Sequence, residues 1–95
     1  MEKVMKSEKW ITRIQRVLED LKLEHNEVVA EMRNCDPNSP EWNGLYERLM
    51  EVRYAISSFK ENFPGLYVEK KYWVTMKGIT LCLIRFEFDE DYWGD

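Results

Sequence analysis

A chain of 95 residues with 44% apolar, 34% charged and 14% aromatic side chains has enough apolar surface for one small core and too much for a disordered segment. Its net charge of −4 is unevenly spread: residues 65–86 carry four basic groups against one acidic, and residues 87–95 none against five. The only basic stripe, Lys70, Lys71, Lys77 and Arg85, lies beside those five carboxylates, which cancel much of its field and argue against direct nucleic-acid binding.

Residues 1–95 read as a single domain. Nothing in Met1-Glu2-Lys3-Val4-Met5-Lys6 resembles a targeting segment, and the longest apolar run, Leu81-Cys82-Leu83-Ile84, is too short to span a bilayer. A soluble, cytoplasmic protein is expected. Cys35 and Cys82 have neither CxxC spacing nor the density of a disulfide scaffold, so both read as reduced thiols.

From Ser7 onward Trp10, Ile14, Val17, Leu21, Val28 and Met32 recur at alternating spacings of four and three or their sums, widened by Ile11 and Leu18. This predicts an amphipathic helix over about 7–33. His25 falls on that stripe beside Glu24, where it reads as a polar layer setting helix register, because a metal site needs three or four ligands and only Cys35 and Asp36 are near in sequence. Cys35-Asp36-Pro37-Asn38 is a short turn-prone link. Ser39 then has the chemistry of an N-cap and Pro40 fits the first helical position, where its missing N–H costs nothing. Trp42, Leu45, Leu49, Val52, Ile56, Phe59 and Phe63 continue a seam to Pro64, predicting a second helix over about 40–62 that folds back antiparallel on the first. Met32 should approach Trp42, Leu21 approach Val52 and Trp10 approach Phe63. Leu23, Met50 and Tyr54 should stay partly exposed.

At Pro64-Gly65 the period changes from helical to alternating. Leu66 to Thr75 and Ile79 to Phe88 read as strands of a β-hairpin, so the fold class is α+β, an antiparallel helical hairpin followed by an antiparallel β-hairpin at about 66–75 and 79–88. A three-residue loop Met76-Lys77-Gly78, with glycine in its left-handed third position, pairs Thr75 with Ile79 and Glu69 with Arg85; a two-residue loop Lys77-Gly78 pairs Val68 with Glu87 and Lys70 with Arg85. The first, with its opposite-charge pair, is the expected register. It turns Val68, Tyr72, Val74, Cys82, Ile84, Phe86 and Phe88 toward the helices and leaves Trp73, Ile79, Leu81 and Leu83 as an apolar cluster on the outer face.

No nucleophile stands beside a base, no glycine-rich phosphate loop is present and no ligands carry metal spacing, so neither an enzyme nor a cofactor or metal site is expected. The candidate partner-binding residues are the outer cluster Trp73, Ile79, Leu81 and Leu83 with the acidic aromatic tail Asp89, Glu90, Asp91, Tyr92 and Trp93, two aromatic anchors beside carboxylates suited to a basic surface. A lone hairpin exposes two unpaired edges, so a homo-oligomer is also expected. The first expectation is a non-enzymatic protein-binding module that occludes or tethers a partner. Two others stand beside it: a ligand-sequestering or sensing homo-oligomer with an interface pocket where Trp10, Tyr72 and Trp73 stack on a planar molecule, and an acidic nucleic-acid mimic. In character, though through no motif, such a domain is similar to the accessory and inhibitor proteins of bacteriophages and mobile elements.

Overall fold

The computed structural model describes the backbone of residues 2–91 and the side chains of residues 12–91. Helix α1 (Glu2–Arg33) and helix α2 (Pro40–Asn62) precede strands β1 (Tyr67–Met76) and β2 (Ile79–Phe88), which form a two-stranded antiparallel sheet. This is the expected helical hairpin and β-hairpin. Helix α1 starts before residue 7, and β1 is displaced by one residue.

The link between the helices is built from local hydrogen bonds. The amides of Asn34 and Cys35 reach back to the Glu31 and Met32 carbonyls at 3.0 and 3.1 Å, tightening the last turn of α1. Ser39, in extended backbone, accepts from the Trp42 amide at 3.2 Å and donates its hydroxyl to the Asp36 carbonyl at 2.7 Å, and Pro40 follows at the first helical position. The helices then pack antiparallel along Ile14, Leu18 and Leu21 on one side and Val52, Ile56 and Phe59 on the other. Met32 and Trp42 border one groove at the link end, as their places on the two stripes imply. The expected meeting of Trp10 with Phe63 lies outside the described residues. Leu23, Met50 and Tyr54 are exposed, Tyr54 to 77%.

Helix α2 stops because Pro64 cannot continue it and Gly65 takes a φ of 87°, turning the chain back. Leu66 then enters the core with no exposed surface. One core joins both halves: Ile14, Leu18, Val52 and Ile56 from the helices, with Leu66, Tyr67, Ile84 and Phe86. Tyr67 sits edge-on to Phe86 with centroids 4.9 Å apart, and its hydroxyl donates to the Ile56 carbonyl at 2.7 Å. Burial pushes its phenol above the ordinary value of 10.0.

The register differs from the expected one. Met76 pairs with Ile79 across a two-residue Lys77-Gly78 turn, Thr75 pairs with Thr80, and Lys70 rather than Glu69 faces Arg85. Both turn residues have positive φ, 51° at Lys77 and 80° at Gly78, the mirror-image turn whose twist matches that of the strands. The opposite-charge pair that favoured the longer loop is worth only about 0.2–1 kcal/mol. Burial decides against it, because fully covering a side chain the size of Phe contributes about 1.5–3 kcal/mol and this register sets Tyr67 beside Phe86 and Phe88 on the helix side. Glu69 finds its cation elsewhere, on Arg53 of α2 at 2.8 Å.

Strand β2 lies against α1, and α1 closes its outer edge. The Asn26 carboxamide donates through Nδ2 to the Ile84 carbonyl and accepts through Oδ1 from the Ile84 amide, both at 3.0 Å, as a neighbouring strand would. Arg33 donates to the Thr80 carbonyl at 2.9 and 3.3 Å. At the far end the Asp89 amide bonds to the Leu66 carbonyl at 2.8 Å, extending the ladder past both strands.

Two outcomes follow for urea unfolding at neutral pH. Asn26→Ala strips both polar groups of Ile84 of their partners beside the core and lowers stability by about 2 kcal/mol. Lys77→Asn relieves a left-handed lysine and raises stability by about 0.5–1 kcal/mol; an unchanged midpoint for either variant contradicts the account of that position.

Candidate functional site

Strand β2 rests on α1, whereas β1 overhangs it. Helix α2 reaches β1 through the Tyr67 hydroxyl and the Arg53–Glu69 ion pair, and past that point Lys70, Lys71, Tyr72 and Trp73 are all exposed. Alternation puts Tyr67, Glu69, Lys71, Trp73 and Thr75 on the helix side of the sheet and Val68, Lys70, Tyr72, Val74 and Met76 on the outer side. Helix α1 keeps to the β2 edge, bonding it as far as Thr80, and the Trp73 ring on β1 is 71% exposed although it lies on the helix side. On the outer side Val68, Tyr72, Met76 and Ile79 are exposed large apolar groups.

The predicted cluster of Trp73, Ile79, Leu81 and Leu83 is therefore divided. Trp73 faces Cys82 across the strands, on the side opposite Ile79, Leu81 and Leu83. Leu81 is only 8% exposed and Leu83 is half-buried. Leu81 lines a groove of about 550 Å³ with Ala30 and Arg33 from the end of α1. Val68, Tyr72 and Val74, expected inside, lie outside for the same reason, a shift of one residue in one strand. Met76 joins them because it belongs to the strand rather than to the turn.

Backbone groups complete the surface. In β2 the Ile84 amide and carbonyl point away from β1 toward Asn26, so Ile84 and its opposite number Lys71 form a non-hydrogen-bonded pair. It follows by alternation that the amides and carbonyls of Glu69, Lys71, Trp73 and Thr75 point out along the free edge of β1. No described residue bonds to them. The outer side carries Lys70 and Arg85, with Arg85 3.4 Å from Glu87 on the same strand. Beyond β2, Asp89, Glu90 and Asp91 are exposed, and the Asp91 amide bonds the Asp89 carboxylate at 2.9 Å. Tyr92 and Trp93 lie outside the described residues.

Cys35 and Cys82 are half-buried free thiols, and among the described residues no three of His, Cys, Asp or Glu come together as metal ligands. Among the described residues no helix is long and apolar enough to cross a membrane. Glu24 bonds Arg48 of α2 at 2.8 Å rather than joining His25. His25 is buried, and its Nδ1 lies 3.1 Å from Asn26 Oδ1. Ile84 orients the Asn26 amide, so that oxygen is an acceptor and the proton of the neutral ring resides on Nδ1.

The arrangement presents an unpaired strand edge with apolar side chains on both faces, which is the geometry of β-strand addition. Compared with protein-family models, curated proteins and solved structures, the chain matches none.

Burial holds the His25 imidazole below its ordinary value of 6.5, with Arg53 and Lys71 acting in the same direction against the Asn26 bond and Glu69. As pH falls through 6.5 the unfolded chain takes up a proton that the native chain refuses, so stability is lost until the lower native value is reached. Urea midpoints at about pH 7.5 and 5.5 should fall more in the wild type than in His25→Gln. Equal falls would assign the pH dependence to other groups.

Proposed function

We propose that this chain is a non-enzymatic protein-binding module that occludes or tethers a partner through the open side of its β-hairpin. The observation that carries this reading is the state of β1, which holds Val68, Tyr72, Trp73 and Met76 in solvent on both faces of one strand. Stranding four large apolar groups there is costly for a chain with a small core, and covering them is what an interface supplies. Tyr72 and Trp73 are of the types that dominate binding energy when desolvated. Lys70 and Arg85 flank the apolar groups, and the exposed carboxylates of Asp89, Glu90 and Asp91 add a charged rim that orients a partner with a basic patch. Two unpaired thiols suit work in a reducing compartment such as the cytoplasm.

Quantitative affinity purification of the tagged chain from its native cells, wild type beside a Tyr72→Ser/Ile79→Ser variant, tests this. The variant should retain helical circular dichroism and recover the partner about tenfold less, the scale of a lost anchor. Equal recovery with both chains would reject the surface, and a chain that recovers no protein specifically would reject the class.

A further inference from the structure

The two edges of the sheet are treated oppositely. That of β2 is bonded by Asn26 and Arg33 from α1, whereas that of β1 presents the amides and carbonyls of Glu69, Lys71, Trp73 and Thr75 with no bond from the described residues. Edge strands in stable monomers are short, charged, interrupted by proline or a bulge, or covered. β1 has ten residues, no proline and unbroken pairing to β2, and its charges, Glu69, Lys70 and Lys71, are confined to its first half.

We propose that the free edge of β1 pairs antiparallel with β1 of a second copy of this chain, about a twofold axis passing between the two Tyr72 side chains. The proposal rests on the protein-binding reading and names one occupant of that surface. Only odd-numbered residues of β1 offer outward backbone groups, so each must face an odd-numbered residue of the other copy, and the axis must pass through a residue position. Charge then selects among the positions. An axis at Glu69, Lys70 or Lys71 sets like charges directly opposite each other. An axis at Trp73 carries the pairing into the turn, bringing Glu69 against Lys77, whose left-handed φ of 51° takes it out of the strand. An axis at Tyr72 keeps residues 68–76 paired wholly within β1. Lys71 then faces the second copy's Trp73, a cation beside a ring that is otherwise 71% exposed. Val68 faces Met76, Glu69 faces Thr75, and Lys70 faces Val74. The two tyrosines meet at a non-hydrogen-bonded position, where side chains approach most closely.

The product is a four-stranded sheet in the order β2-β1-β1-β2, with both of its outer edges lying against an α1 helix. Because the axis is normal to the sheet, the two outer faces lie on the same side and form one continuous platform.

Sedimentation equilibrium of the purified chain over a concentration series should give twice the 11.6 kDa chain mass. Lys71→Pro removes an outward N–H without touching the ladder to β2, and Tyr72→Lys sets two ammonium groups on the axis; each should give the monomer mass with native circular dichroism. In a Cys35→Ser/Cys82→Ser background, mild oxidation should link Tyr72→Cys chains into disulfide dimers, while Val74→Cys chains, facing Lys70, stay single. A wild type that is monomeric at every concentration overturns the proposal, as does a dimer that survives both variants, or Val74→Cys chains that link as readily as Tyr72→Cys chains. Mass is read with no partner present, so the two readings fail separately. A monomer that still recovers a partner overturns the pairing alone, and a dimer that recovers none overturns the partner-binding reading alone.

Discussion

One carboxamide sets the terms on which the two halves of this protein meet. Asn26 offers Ile84 a donor and an acceptor at the spacing of a peptide unit, and thereby makes a helix stand in for a third strand. The bond pair requires the polar groups of Ile84 to point outward, which fixes the parity of the β2 ladder and the faces of that strand, while the burial of Tyr67 sets the register of β1 against it. A slip of one residue in the pairing would turn Tyr67 away from Phe86 and uncover the aromatic part of the core. His25, buried beside Asn26 and bonded to the same oxygen, adds a second constraint on the amide. A small polar cluster thus pins β2 to α1, and apolar burial pins β1 to β2.

The asymmetry of the hairpin follows from this. A helix that runs beside β2 serves one strand well and the other poorly, because a two-stranded sheet is wider than the contact one helix makes. Ile84 and Phe86 are buried, and β1 is buried only at Tyr67, where α2 comes within reach. Past Glu69, which Arg53 of α2 holds, no described helix residue bonds to the strand. Tyr72 and Trp73 are therefore conspicuous, two exposed aromatic rings in a strand whose other aromatic residue, Tyr67, is in the core.

The helical half was legible because its signals are local. The Ser39 cap, Pro40 at the first turn, the seam from Trp42 to Phe59 and the stop at Pro64 each act over one or two turns, and the structure shows the cap, the proline, the stop and, from the seam, Val52, Ile56 and Phe59 in the core. The β-hairpin was legible in extent but not in register. Lys77 in the left-handed region is the reason: the usual marker of a mirror-image two-residue turn is Asn-Gly or Asp-Gly, and lysine gives no such signal. The Glu69–Arg85 charge pair is visible in the sequence and the burial of Tyr67 is not, and a register set by that pair inverts the two faces of β1 and groups Trp73 with residues on the other side of the sheet. Asn26 was unreadable for a deeper reason. Its partner lies 58 residues away, and on the helix it is one more polar residue next to a histidine.

That separation bears on how the molecule assembles. Helix α1 with α2, and β1 with β2, are neighbours in sequence, so each hairpin closes a short loop and forms fast. Docking them closes a far longer one, and the entropy of that closure falls on a single event. Until it occurs, β2 shows the same bare edge that β1 keeps in the finished fold, and shows it next to Leu81, Leu83 and Ile84. The edge that is safest in the native protein is thus the one most exposed to misassociation while the chain is being made.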